Sequence, residues 1–149
     1  MDFIDEGLSK LAVAGLVDPD SILGCSTDEI ASIEDAFDLT LPEAYTSFLS
    51  KAGKACGDFL HGTDFLFPDI LRNRQEAEWL LERCGSTWTL ARHHFVFLQH
   101  HGYQFMYFDV VMGDDPPVFY YSDEAELPRQ IFARFSEWFR QAIEDETAP

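Results

Sequence analysis

Basic charge is what this 149-residue chain has least of: ten Lys and Arg stand against 27 Asp and Glu, a formal net charge of −17. The deficit is uneven. Residues 1–50 hold eleven acids and only Lys10, residues 51–100 balance six acids against six bases, and residues 101–149 hold ten acids against three bases. Nucleic acids and anionic membranes are bound through basic footprints, so the composition argues against both as partners. A basic protein would instead be steered towards this surface, at a rate that salt reduces. Hydration of a soluble surface is the simpler use of the same charge.

Long apolar runs are missing as well. No stretch of about 18 apolar residues exists, which argues against a transmembrane helix, and the opening M-D-F-I-D-E is acidic where a secretory signal would be basic. Cysteine is scarce. Cys25, Cys56 and Cys84 share no metal-ligand spacing and leave one unpaired in any disulfide scheme, as expected of a reduced cytoplasmic protein. Catalytic signatures are absent: there is no G-x-S-x-G, no cysteine in an activating setting and no glycine-rich loop leading into a helix. Paired carboxylates abound, but among 27 acids they carry no specificity. The expectation is a protein with no enzyme activity, no cofactor and no bound metal.

What is present is material for one core, 46% hydrophobic and 15% aromatic residues, and the length suits a single domain over 1–149. A short helix is expected over 3–16, with Phe3, Ile4, Leu8 and Leu11 on one side and Asp18-Pro19-Asp20 ending it. From Ser26 to Gly53 the spacing predicts a helical hairpin. Ser26 and Glu29 have capping-box spacing, and Ile30, Ile33 and Phe37 share a face. Pro42 suits the start of the second helix, Tyr45, Phe48, Leu49 and Ala52 form its apolar face, and Gly53 reads as a left-handed stop. Glu34, beside that first face, is placed to accept hydrogen bonds from a nearby loop. The glycine-rich segment that follows carries three phenylalanines, expected to tuck under the domain as a satellite cluster.

A third helix is predicted from Asp69 to Arg83, with Ile70, Ala77, Leu81 and Cys84 inward. Two strands, 94–99 and 103–110, should join tightly around His101-Gly102 and carry apolar groups on both faces, so the sheet is covered on one side and partly on the other. Gly113 to Pro117 is a turn and Val118 to Tyr121 a third strand. A last helix near Ser136 presents Phe135, Trp138, Phe139 and Ala142, and the tail 144–149 should fray. Helices, then sheet, then helix argue an α+β fold.

Individual residues have modest readings. Adjacent strand residues point to opposite faces, so His93-His94 and His100-His101 can each offer one ligand to a common site, with Asp109 as a candidate third, and no zinc spacing supports one. Histidines with satisfied ring nitrogens are the simpler expectation. Tyr103, Phe105 and Tyr107 alternate as a packing stripe, and Arg72 and Arg74 should pair with nearby acids. Acidic loops are the most plausible binding surface: Asp58, Asp64, Asp114, Asp115, Asp123, Glu124 and Glu126, converging if they lie at one end of the sheet.

With these residues in place, the chain resembles the SUKH superfamily, also called the Smi/Knr family. The match runs from Gly24-Cys25 through Glu29-Ile30, Ile33-Glu34, Leu41-Pro42, Tyr45, Phe48-Leu49 and Gly53. It continues with H-H-G-Y-Q-F-M-Y-F and G-D-D-P-P-V-F-Y-Y between His100 and Tyr121, and closes with F-S-E-W-F at Phe135–Phe139. Many members carry glycine-aspartate in the central hairpin; here Tyr103 follows Gly102, as in an H-x-G-Y-x-F branch, so no hairpin acid is carried over. Residues 1–23 match no part of the pattern and read as a variable helical extension.

The resemblance implies a central, mostly antiparallel sheet flanked by helices. It also implies a binding role without catalysis. Bacterial members are read as immunity proteins that neutralise a cognate toxin of polymorphic or contact-dependent systems; fungal members are linked to cell-wall regulation as interaction proteins. Combined with the charge, the expectation is a cytoplasmic immunity protein that blocks a basic toxin domain, with a nuclease as the candidate class. A regulatory or scaffold module with another cellular partner is the alternative, and a metal-dependent hydrolase using His94 or His100 a third.

Overall fold

A computed structural model describes residues 2–149. Local chemistry sets the starts of the first two helices. Asp2 caps α1 (Phe3–Val13), its carboxylate accepting from Asp5 N–H at 2.9 Å. The helix stops three residues before the expected end because Gly15 turns left-handed (φ 77°) and Leu16 N–H closes back on the Leu11 carbonyl.

The helical hairpin forms as its residues dictate. Both arms of the Ser26–Glu29 capping box are made at the start of α2 (Thr27–Phe37). Asp38 then turns left-handed, and Glu34 Oε2 accepts from Leu41 N–H at 2.7 Å, tying the loop to the helix it leaves. Pro42 is the N-terminal cap of α3 (Glu43–Ala52). Gly53 is not a left-handed stop: its φ is −70°. Space is its reason, since a Cβ there would lie 2.6 Å from Leu49 O and 2.9 Å from Cys25 Sγ. In the following loop Phe59 and Phe65 are buried in the main core against Phe48 and Phe139, not in a satellite cluster.

The third predicted helix divides into a 3₁₀ turn at Asp69–Arg72 and α4 (Asn73–Arg83). Ile70, Ala77 and Leu81 are buried, with Leu80 beside them, whereas Cys84 is exposed beyond the helix end.

Four strands pair in sequence order, all antiparallel: β1 (His94–His100), β2 (Gln104–Asp109), β3 (Val118–Ser122) and β4 (Arg129–Phe132). The β1–β2 turn closes with Tyr103 N–H on the His100 carbonyl, with His101 and Gly102 both at positive φ, the geometry a tight hairpin demands. A bulge between Val96 and Leu98 breaks simple alternation in β1. Phe97 and Leu98 both turn to the main core, while Val96 packs on the opposite face.

Both faces of the sheet are covered. On one, Phe95, Phe97, Phe108 and Val118 meet the helical hairpin, α1 and α5 (Phe135–Thr147). On the other, Val96, Phe105, Tyr107 and Tyr121 pack on Ala77, Leu80 and Leu81 of α4. The architecture is α+β, five helices around one antiparallel sheet. Ile4 and Leu11 of α1 are wholly buried in the main core, and Phe3 meets Phe139 edge-on. α5 continues through Thr147, leaving only Ala148 and Pro149 of the closing residues outside it.

Candidate functional site

The seven acids singled out in the sequence do not gather. In an all-antiparallel sheet of order β1-β2-β3-β4, the β2–β3 connection lies at the opposite end from the β1–β2 and β3–β4 turns. Asp114 and Asp115 are therefore at one end and Asp123, Glu124 and Glu126 at the other. Asp115 is committed to the fold: its carboxylate accepts from Ser136 N–H at 2.9 Å and from Ser136 Oγ, capping α5 from a distant loop. Asp64 is likewise engaged, accepting from Gln99 Nε2 at 2.6 Å beside a backbone bridge to β1. Asp58 sits apart, with its N–H on the Leu16 carbonyl. Asp58, Asp114, Asp123, Glu124 and Glu126 are exposed.

Histidines meet in a way alternation does not foresee. His93 precedes β1, in a turn, so it and His94 face the same Asp109. His93 Nδ1 lies 3.0 Å from Asp109 Oδ1, and His94 Nε2 lies 3.9 Å from Oδ2. His94 Nδ1 accepts from Ala91 N–H at 2.9 Å, which fixes the proton of the neutral ring on Nε2. A metal ion at Nε2 would need the lone pair that this tautomer lacks. Arg74 closes the same turn by donating to the carbonyls of Ala91 and His94 at 3.0 Å. Its contact with Glu78, at 3.8 Å, is the looser one; Arg72 pairs with Asp69 as expected. Burial holds the His94 pKa below its ordinary value, against the pull of Asp109. Trp88 and Tyr107 pack on the ring, and Tyr107, itself pushed up to about 12 by burial, is no acid at neutral pH. These features make the cluster a structural latch.

The concave feature of most interest was not foreseen. A cleft of about 440 Å³ opens between the C-terminal half of α5 and the main-core face of the sheet. Leu98, Met106, Phe132, Trp138 and Ala142 supply its apolar surface; His100 and Gln104 stand on the strands, Asp145 and Glu146 on the helix. The β1 bulge is what brings Leu98 and His100 to this face. Glu146 Oε1 accepts from Leu60 N–H at 2.9 Å, fixing that side of the rim. No Lys or Arg lines the cleft. The acids E-D-E of residues 144–146 are legible in the sequence; the bulge that builds the facing wall is not.

Charge pairing shows how little of the negative surplus is neutralised. Lys10, Lys51, Lys54, Arg72, Arg74, Arg92 and Arg134 each lie near an acid. Arg129 and Arg140 lie over the rings of Tyr120 and Phe3, and Arg83 donates to the Gly102 carbonyl. Almost every base is thus occupied within the molecule, and among the described residues only eight of the 27 acids lie in an ion pair with Lys or Arg.

A comparison with curated proteins finds no match. No helix among the described residues is long and apolar enough to cross a membrane. The model of the SMI1 / KNR4 family (SUKH-1) matches residues 24–141, from the glycine packed against α3 to the cleft wall of α5. Proteins of this family are generally non-catalytic, immunity-type proteins that bind toxin partners. The order of hairpin, antiparallel sheet and closing aromatic helix agrees with that match, and the chain belongs to the SMI1 / KNR4 (SUKH-1) family.

Proposed function

We infer that this chain is a non-catalytic immunity protein of the cytoplasm that binds a basic toxin domain and blocks it. The observation that carries this reading is the unneutralised surplus: a net charge of −17 on a fold that has already occupied nearly all of its bases internally. A partner with a basic groove gains long-range steering and short-range pairing from such a surface. Nucleases are one such class, because holding phosphates requires clustered Lys and Arg, and an acidic protein can occupy their groove in place of nucleic acid. The exposed acids Asp58, Asp114, Asp123, Glu124 and Glu126 lie around the surface and serve steering; Asp64 and Asp115 serve the fold.

The test is a pull-down of tagged protein from its native cells at moderate salt, with mass spectrometry on what is retained. Recovery of a secreted protein through a basic C-terminal domain supports the reading, and co-expression should then protect cells from that domain. Recovery of housekeeping proteins alone would move the assignment to a regulatory or scaffold module.

A further inference from the structure

The last turn of α5 carries charge of the wrong sign. The C-terminal carbonyls of a helix present about half a negative charge, which Lys, Arg or His normally answers. α5 has no base in its last turn and places Glu144, Asp145 and Glu146 there instead. Lys10 answers Glu144 at 2.9 Å; Asp145 accepts from Gln141 Nε2 at 2.8 Å and Glu146 from Leu60 N–H, both neutral donors, and no base among the described residues pairs with either acid. Both acids therefore oppose the helix that holds them, and both stand at the rim of the cleft.

An apolar trough that ends at two carboxylates and a helix C-terminus suits a long aliphatic stem with a cationic head. Guanidinium fits better than ammonium. It is more weakly hydrated, so entering a half-enclosed cleft costs it less, and its planar fork can be shared between the Asp145 carboxylate and the amide oxygen of Gln141, whose Nε2 already holds Asp145; the Gln104 oxygen is engaged by the Tyr120 hydroxyl at 2.7 Å. We propose that this cleft seats one arginine side chain of the partner protein, its stem along Met106 and Phe132 and its guanidinium at Asp145 and Glu146. The identity of the partner rests on the immunity reading; the chemistry of the seat does not. A buried arginine at the centre of an interface is also the residue class that most often dominates binding. The bond from Glu146 Oε1 to Leu60 N–H means that the rim is set before the guest arrives.

The experiment titrates ¹⁵N-labelled protein with Nα-acetyl-arginine methylamide, followed by amide shifts, with citrulline, lysine and norleucine analogues as controls. Saturable shifts confined to 104–106 and 141–146 are expected for arginine, with binding at least about fivefold weaker for the isosteric but neutral citrulline. Asp145→Asn should weaken arginine binding and at the same time raise the thermal midpoint by about 1–3 °C, because it removes a charge that the helix end opposes. Gln141→Lys, which sets a competing cation four residues from Asp145, should abolish binding while leaving the protein folded. Shifts scattered over the surface, equal binding of citrulline, or a lower midpoint for Asp145→Asn would overturn the proposal. A toxin recovered equally by the wild type and by Gln141→Lys would also overturn the cleft while leaving the immunity reading standing. Arginine binding without any toxin in the pull-down would leave the cleft and remove the immunity reading.

Discussion

Gly24 is where the family match begins, and replacing it by alanine tests why. It is not among the glycines at positive φ, so its backbone freedom is not the issue. A Cβ built there would stand 1.8 Å from Ser50 O and 2.5 Å from Ser50 C, both backbone atoms near the end of α3. Side-chain rotation cannot relieve such a clash, so the 22–25 segment must move away by about 1.5 Å, beyond hydrogen-bond range. Four backbone bonds hold it: Cys25 N–H to Leu49 O at 2.7 Å, Leu23 N–H to Ala55 O at 3.0 Å, and the N–H groups of Lys54 and Ala55 to Leu23 O at 2.9 and 3.1 Å. At about 1 kcal/mol net each, losing most of them costs about 3 kcal/mol, a large part of the roughly 5–15 kcal/mol typical of a whole domain. Urea unfolding followed by tryptophan fluorescence should show the midpoint of Gly24→Ala lowered by about 1–2 M with an unchanged slope. Gly85→Ala is the control for the other glycine mechanism. Gly85 has φ 64° with nothing within 4 Å of its missing Cβ, so only left-handed strain of about 1–2 kcal/mol applies. A loss below about 1 kcal/mol for Gly24→Ala would refute the close-approach reasoning.

Glu34→Ala removes the acceptor of a partly buried Leu41 N–H and should cost about 1.5–3 kcal/mol, with Glu34→Gln, which retains an acceptor, losing less than half of that; equal losses in chemical denaturation would mean that the bond is not what matters. Tyr45 is fully buried and its hydroxyl meets no hydrogen-bond partner, while burial raises its pKa far above the usual phenol value. Tyr45→Phe should therefore be neutral or stabilising by about 1 kcal/mol, and a clear drop in melting temperature would show that the hydroxyl is satisfied in solution. His94 has a depressed pKa, chiefly through burial, so the unfolded chain takes up its proton first. Its contribution is complete above about pH 6.5, the ordinary histidine value, and is lost as pH falls below it. His94→Asn, which keeps an acceptor for Ala91, should flatten the stability profile between pH 7 and 5; an unchanged slope would assign that slope to other groups.

Short-range chemistry was legible in the chain because it needs no distant partner. The Ser26–Glu29 cap, the Leu41-Pro42 step, the tight turn at His101-Gly102, the loop-facing Glu34 and the apolar face of α5 follow from neighbouring residues, and the structure has each of them. The order of helices and strands then led to an α+β fold, and the spacing of the motifs to the family. Tertiary contact decided the rest. Gly53 is required for want of space, between the Leu49 backbone and Cys25, a neighbour 28 positions away, and not for handedness. β4 escaped notice because R-Q-I-F after Pro128 is too short to show a period; pairing with β3 makes it a strand. One inserted residue at Phe97 turns Leu98 and His100 towards α5 and so builds one wall of the cleft. Acids 144–146 could be read as charge from the outset, but whether that charge was mere hydration or the rim of a binding site depended on what faced it. The chain by itself determined which groups exist and which local turns they favour, because those energies act over three or four residues. The fold alone decided which groups meet, because register and packing sum over contacts that no local window contains.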